Sequence, residues 1–384
     1  MDRIYFDNSS TAFPKAPGVP EAMADMLKNG GYNINRGGYS GAYALENVVF
    51  DTRELLCDLF GFQKPANVIF TPSVTYSLNY VIKGFLHSGD HVITTSMEHN
   101  AMIRPLVQMQ ELGVTVDMAQ CEADGSLDPQ RVEELIRPNT KAVMMLHGSN
   151  VCGILLPIRE VGEICRRRGL KFVVDTAQTA GVFPIDMAEA HIDALCFTGH
   201  KGLRGPQGIG GFLVTDELAS QMTPLIAGGT GSFSDLLEMP PCLPDRFEAG
   251  TMDLPGIVGL HAALSYLQKE SMDDIRAREL SLAQRFYEGV SQMEGLRVVG
   301  SDQFRDRAPI VSVQFTERDN GEMSFLLESR YGIMTRCGLH CAPLAHKTLG
   351  TFPDGTVRFS FSQFNREDEV DLCLGAIREI LAGK

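Results

Sequence analysis

At 384 residues the chain is too long for one small hydrophobic core, and the usual length per domain, roughly 100 to 200 residues, predicts two domains. Its 44% hydrophobic and 21% charged residues match an ordinary globular protein, and a formal charge of −14 excludes nucleic acid and anionic membrane surfaces, which require a basic face to displace counterions. The opening MDRIYFDNSS carries no apolar signal core and no run approaches the ~20 apolar residues of a membrane span, so a cytoplasmic location is expected.

From about residue 67 short apolar runs alternate with longer helical segments: NVIF, then the helical TYSLNYVIKGFL, then HVITT, VTVDM, KAVMML, KFVVD, DALCF and GGFLV. Strand alternating with helix predicts a mostly parallel sheet covered on both faces. Five of the runs end in polar tails, TPSVT, SMEHN, HGSN, DTAQ and TGHKG. Ligands of open α/β sheets bind beyond the carboxyl ends of the strands, so the five tails are expected to converge on one site. A break is placed at AGTMDLPGIVGL, giving an arm over 1–14, a large domain over 15–255 and a smaller α+β domain over 256–384. The smaller domain reads as a long amphipathic stretch, a strand IVSVQF, a helix EMSFLLESRYG, the segment RCGLHCAP, a strand TVRFSFS and a terminal helix from Arg366.

All five tails carry recognisable chemistry. Asp175 at a strand end and Lys201 in the glycine-bounded turn FTGHKG are what a pyridoxal phosphate site requires. The lysine forms a Schiff base, and the carboxylate keeps the pyridine nitrogen protonated. Ser73, Val74 and Thr75 lie at a strand-to-helix turn, where free backbone N–H groups suit a phosphate. His99 could stack on a pyridine ring, with Asn150 and Gln178 at its phenolic oxygen. Each residue alone also reads as a helix cap, a surface lysine or an ordinary loop polar group.

Nine cysteines scattered through the chain do not form a secreted disulfide framework. Cys57, Cys165, Cys196 and Cys373 sit among apolar neighbours and are expected in the core. In RCGLHCAP, Cys337 and Cys341 read as partial metal ligands, a local disulfide, packing residues or a nucleophile. No metal site is expected, because the segment supplies at most three ligands.

The segments YFDNSSTAFPK, NINRGGYS, TPSVTYSLN, SMEHNA, HGSNVCG, VDTAQTAG, TGHKGLRGPQGIGG, RFEAGTMD, RCGLHCAP and TVRFSFSQFN, spread over nearly the whole length, resemble the class V aminotransferase family, and within it the cysteine desulfurase and selenocysteine lyase branch. The resemblance implies an α/β protein of the pyridoxal-phosphate-dependent fold type I. It implies that Lys201 carries the cofactor, Asp175 pairs with its ring nitrogen and His99 stacks on it. Thr75, Thr198 and His200 would hold the phosphate, and Thr251 would reach the phosphate of a second subunit in a homodimer. Arg358 would clamp the substrate carboxylate with both arms of its fork, with Arg336, Asn150 and His340 also on the substrate side.

Cys341 falls on the family's nucleophile, which takes sulfur from L-cysteine as a persulfide and passes it to an acceptor, for which a protein is one possibility. A neighbouring His340 could lower the pKa of that thiol. Three departures accompany the resemblance: Leu339 replaces the first histidine of the family's pair, Val74 replaces a hydroxyl residue, and Cys337 is an extra thiol near the nucleophile, read as packing rather than as a group that resolves the persulfide. Selenocysteine lyase, a C–S lyase or aminotransferase working without Cys341, and a non-catalytic scaffold of the same fold are the alternatives.

Overall fold

The computed structural model describes residues 3–34 and 37–383, so Asn35 and Arg36 of the NINRGGYS segment lie outside the described residues. A two-residue strand, β1 (Ile4–Tyr5), comes first, followed by β2 (Val68–Thr71), β3 (His91–Thr95), β4 (Thr115–Ala119), β5 (Thr140–Leu146), β6 (Lys171–Asp175), β7 (Ala194–Thr198) and β8 (Gly210–Val214). The last seven form one sheet in the order β2-β8-β7-β6-β5-β3-β4. The strands from β3 to β7 are parallel, and β8 runs antiparallel to both of its neighbours.

Each of these strands except β3 and β4 coincides, within a residue or two, with an uninterrupted apolar run because its two faces enter different cores. Val143, Met145 and Val174 pack on one side, while Ala142, Met144 and Val173 pack on the other. Each fully buried aliphatic side chain contributes about 1.5–3 kcal/mol, so register is fixed from both faces. Cys57 and Cys165 lie in the first core and Cys196 in the second, as expected from their neighbours.

Two glycines bring backbone close to the strand ends. A Cβ at Gly210 would lie 2.7 Å from the Phe197 carbonyl and 3.1 Å from the Ser73 backbone. At Gly202, directly after Lys201, a Cβ would lie 2.4 Å from the Ala180 carbonyl.

The smaller domain contains β9 (Leu296–Val299), β10 (Ile310–Phe315), β11 (Ile333–Met334), β12 (Arg336–Gly338) and β13 (Thr356–Ser360). Four of them make an antiparallel sheet in the order β12-β13-β10-β9. Helices Met272–Ser291, Asn320–Tyr331 and Glu367–Leu381 cover it, burying Phe286, Leu327 and Ile377 with Val311 and Phe359. Cys373 is part of this core.

The change of core does not coincide with residue 255. Helix Leu254–Lys269 packs Leu260, Leu264 and Leu267 into the large-domain core. The handover falls inside helix Met272–Ser291, where Ile275 belongs to the first core and Leu282 to the small-domain core. The described part of the N-terminal arm is not separate either. β1 pairs in parallel with β11, and Phe6 is fully buried with its ring centroid 5.0 Å from that of Phe361. No helix among the described residues is long and apolar enough to cross a membrane.

Candidate active site

The polar tails of β3, β5, β6 and β7 meet where the small domain and the N-terminal arm fold back over the large sheet. They meet through Asn100 to Cys341, Asn150 to His340, Gln178 to Ser9 and the charges of Lys201 and Arg358, while the β2 tail lies beside Gly210 at the start of β8. Asp175 ends β6 and is 5% exposed, its Oδ1 accepting the Ala177 amide at 2.9 Å. Burial pushes its carboxyl above the ordinary value, while that hydrogen bond and the Lys201 charge pull it back. Lys201 follows β7 by three residues. Burial lowers its amine to about 8; Asp175 and Asp7 oppose the shift, while Arg358 and Arg336 reinforce it.

His99 caps helix Asn100–Glu111, its Nδ1 accepting the Ala101 amide at 3.0 Å. Burial, then Lys201 and the nearby arginines, lower the ring to about 4, so it is neutral with its hydrogen on Nε2. Thr198 Oγ1, His200 Nδ1 and Asn150 Oδ1 are buried without a protein hydrogen-bond partner. Such orphans cost about 1–3 kcal/mol each. An anionic, ring-bearing ligand at these strand ends would accept from Thr198 Oγ1 and His200 Nδ1, Asn150 Oδ1 could accept a hydrogen from it, and Asp175, raised by burial, would be returned to carboxylate by a cationic partner. The donor set therefore fits pyridoxal phosphate.

The phosphate end is expected at helix Val74–Phe85. Its N-cap Ser73 makes no side-chain cap, and the first helical bond runs from Ser77 N to Ser73 O. The amides of Val74, Thr75 and Tyr76 thus stand outside the helix's own ladder. Val74 is 9% exposed and packs into the core with Leu78, which explains an apolar residue at this turn: it can address a phosphate only through its N–H. Thr75 is exposed. Thr251 is also exposed and lines a pocket with Thr71, Pro72 and Tyr76 of its own chain. Gln178 gives its Nε2 to the Ser9 carbonyl at 3.3 Å.

The small-domain wall brings Arg336 and Arg358 opposite each other in the register of β12 and β13. Arg358 is 2% exposed, and its fork is already engaged. One terminal nitrogen donates to Asn150 O at 2.9 Å, the other to Asp7 Oδ1 at 3.0 Å and to Ser10 Oγ at 2.7 Å, and Nε has no partner. An open two-armed clamp at Arg358 alone is therefore corrected: the hydrogens left to it are on Nε and one terminal nitrogen. Arg336 is exposed and donates to Ser10 Oγ at 2.8 Å.

The same wall carries the Cys341 turn. Gly338, His340 and Cys341 have φ of 110°, 49° and 58°, a left-handed run that non-glycine residues enter at a cost. The turn is pinned by Asn100 N to Cys341 O (2.8 Å) and by Asn150 Nδ2 to His340 O (2.7 Å). Cys341 is exposed.

The expectation that His340 activates this thiol is corrected. Its ring is 6% exposed, bonds through Nε2 to Thr356 Oγ1 at 2.9 Å and lies 5.6 Å from the His346 ring. Burial, then Arg358, lowers it to about 2, so it brings no positive charge to its neighbour. Cys337 points the other way along β12. It pairs with fully buried Val357 and packs on the small-domain core, and burial followed by Asp319 raises its thiol.

Asp7, Ser10, Glu98 and the pair Arg204–Glu279 were not singled out from sequence. Glu98 is fully buried beside His99, accepts from Thr95 Oγ1 (2.6 Å) and Leu146 N (3.1 Å), and is pushed up to about 8, chiefly by burial. Arg204, three residues after Lys201, donates to Gly202 O at 2.6 Å and to Glu279 of the small domain at 2.5 Å. The segments FDNSS and SMEHNA contain three of these residues, but nothing in their spacing assigns a role.

The family model for class-V aminotransferases matches residues 4–373. A probable cysteine desulfurase of Methanothermobacter thermautotrophicus is 30% identical, covering 100% of this chain and 95% of that protein. Cysteine desulfurase IscS of Vibrio atlanticus is 32% identical, covering 98% and 92%. Among solved structures, the apo cysteine desulfurase of Thermococcus onnurineus NA1 is similar with a TM-score of 0.93 at 31% identity, covering 100% of this chain and 95% of that one. Escherichia coli CsdA, a cysteine desulfurase in its S-sulfonic acid form, gives 0.88 at 28% identity over 99% and 95%.

Proposed function

The chain belongs to the class-V aminotransferases, in the cysteine desulfurase branch, and from that premise we propose that it converts L-cysteine to L-alanine with Cys341 as the first sulfur acceptor. Pyridoxal phosphate would be held by Lys201, Asp175, His99, Gln178, Asn150, Thr198, His200 and the amides of Val74 and Thr75. When bound it supplies an electron sink for charge developing at the substrate α-carbon.

The protein's own groups supply the rest. With its pKa lowered to about 8, about a tenth of Lys201 is free amine at pH 7, far more than an ordinary lysine offers, and it is able to bond covalently and later to accept the α-proton of the substrate at Nζ. Asp175, given a cationic partner, holds the proton on that partner's nitrogen. His99 offers a neutral ring face of fixed tautomer. Arg336 and the remaining donors of Arg358 orient the substrate carboxylate. Cys341 Sγ then attacks the substrate sulfur. The substrate C–S bond breaks and an S–S bond forms, so that L-cysteine and the Cys341 thiol become L-alanine and a Cys341 persulfide, with every hydrogen accounted for.

The observation that carries this reading is the exposed Cys341 on a strained turn tied to both Asn100 and Asn150, on the same wall as the two carboxylate-binding arginines. In Cys341→Ala, alanine formation should fall by at least about 100-fold while cofactor absorbance persists. Full activity in that variant would sink the persulfide route and favour a lyase or aminotransferase. The acceptor downstream, homodimerisation through Thr251 and a cytoplasmic location remain part of the proposal. Exposed Tyr76, Phe233 and Leu237 support the dimer.

A further inference from the structure

The N-terminal strand delivers a carboxylate to the arginines that read the substrate. Asp7 Oδ1 accepts from Arg358 at 3.0 Å and from the Ser10 hydroxyl at 2.6 Å. The same hydroxyl oxygen accepts from Arg358 at 2.7 Å and from Arg336 at 2.8 Å. Asp7 cannot easily withdraw. Phe6 before it is buried and double-anchored, donating to Met334 O at 2.9 Å and accepting from Ser360 N at 2.8 Å, and Asp7 itself bridges to Ser360. Arg358, 2% exposed, therefore faces the resident carboxylate directly where water screens little, and the exposed Arg336 reaches it through the Ser10 hydroxyl.

One further negative charge balances the group. A ligand with a single acid group supplies it through the uncommitted hydrogens of Arg358 and the open face of Arg336. A ligand with two acid groups brings a surplus charge close to Asp7, and rejecting a competitor by a like charge is a recurrent device of specificity.

We infer that Asp7 is a specificity-determining residue, a resident carboxylate that takes one share of the Arg336–Arg358 charge and restricts the site to amino acids with one acid group. The inference rests on the reading that Arg336 and Arg358 bind an amino-acid carboxylate, and it separates a site for neutral amino acids from one for the dicarboxylates many aminotransferases use.

The test is a binding titration rather than turnover. Holoprotein is titrated with L-alanine and with L-aspartate, following the cofactor absorbance. Wild type should prefer L-alanine by at least about tenfold, and Asp7→Asn should shrink that preference by about tenfold through tighter L-aspartate binding. Asp7→Glu should restore it. Ser10→Asp, which adds a second carboxylate to the same guanidinium pair, should weaken both ligands and widen the preference, and it keeps the inference testable if Asp7→Asn does not fold. An unchanged ratio in Asp7→Asn or in Ser10→Asp overturns the inference, as does equal loss of both ligands in Asp7→Asn, which marks Asp7 as a support for Arg358 only. Wild type that binds L-alanine separates these failures from that of the amino-acid reading itself; wild type that binds neither ligand overturns both.

Discussion

The two walls of the cleft differ in how their polar atoms are satisfied. On the large-domain wall, Thr198 Oγ1 and His200 Nδ1 are buried with no protein partner, and the buried Asp175 carboxyl is held by one backbone amide. On the small-domain wall, Arg358 makes three hydrogen bonds to its own chain, and the Cys341 turn is tied by Asn100 and Asn150. The large-domain orphans are what a permanently resident group would complete, whereas the small-domain wall is mostly tied within the chain and leaves Arg358 Nε, His340 Nδ1 and the exposed Arg336 for a ligand that arrives and leaves each cycle. On the proposed reading, the first would hold the cofactor and the second the substrate.

The comparison breaks most easily at Lys201. Lys201→Ala should abolish borohydride-trapped cofactor and lower alanine formation by at least about 1000-fold, measured by intact mass and by product assay. Substantial activity without the lysine would mean that the large-domain wall is not the cofactor's anchor.

A smaller effect comes from pH. The Lys201 amine, lowered by burial to about 8, is ammonium below that value and free amine above it, and only the free amine reacts. Reloading apoprotein with pyridoxal phosphate should therefore accelerate as pH rises through about 8, falling roughly tenfold per unit below it. A rate, read by absorbance, that keeps climbing tenfold per unit above pH 9, as for an amine near its ordinary 10.5, would place the amine outside the buried wall.

The smallest effect is expected at Cys337, which faces the small-domain core. Cys337→Ala should cost about 1 kcal/mol of stability and leave the yield of alanine intact, checked by denaturant titration and product assay. Loss of alanine formation without loss of stability would move Cys337 onto the catalytic wall.

The large-domain wall was legible in the sequence and the small-domain wall only partly so. Strands such as KFVVD and DALCF are buried on both faces, so their apolar runs mark them directly, and the residue following or ending each run lands at the site by geometry. β1, β11 and β12 have two or three residues each, too few to show a period, and they exist because distant segments pair.

Asp7 was in view in FDNSS, yet its bond to Arg358 spans 351 positions, a separation that no local pattern encodes. His340 misled for a related reason. Adjacency to Cys341 suggested activation, but two consecutive left-handed residues turn its ring toward Thr356. The helix from Leu254 looked like the start of a new domain after Pro255 and Gly256, while packing assigns it to the old one. Proline is simply at home in the first turn of a helix.

The central claim is that sulfur passes from L-cysteine to Cys341, and one measurement addresses it most directly: brief incubation of the holoprotein with L-cysteine, followed by mass-spectrometric mapping of added sulfur on each cysteine peptide. Persulfide on Cys341, absent from Cys337, is the predicted result. Alanine formed with persulfide on Cys337 alone, or on no cysteine of the chain, would contradict it.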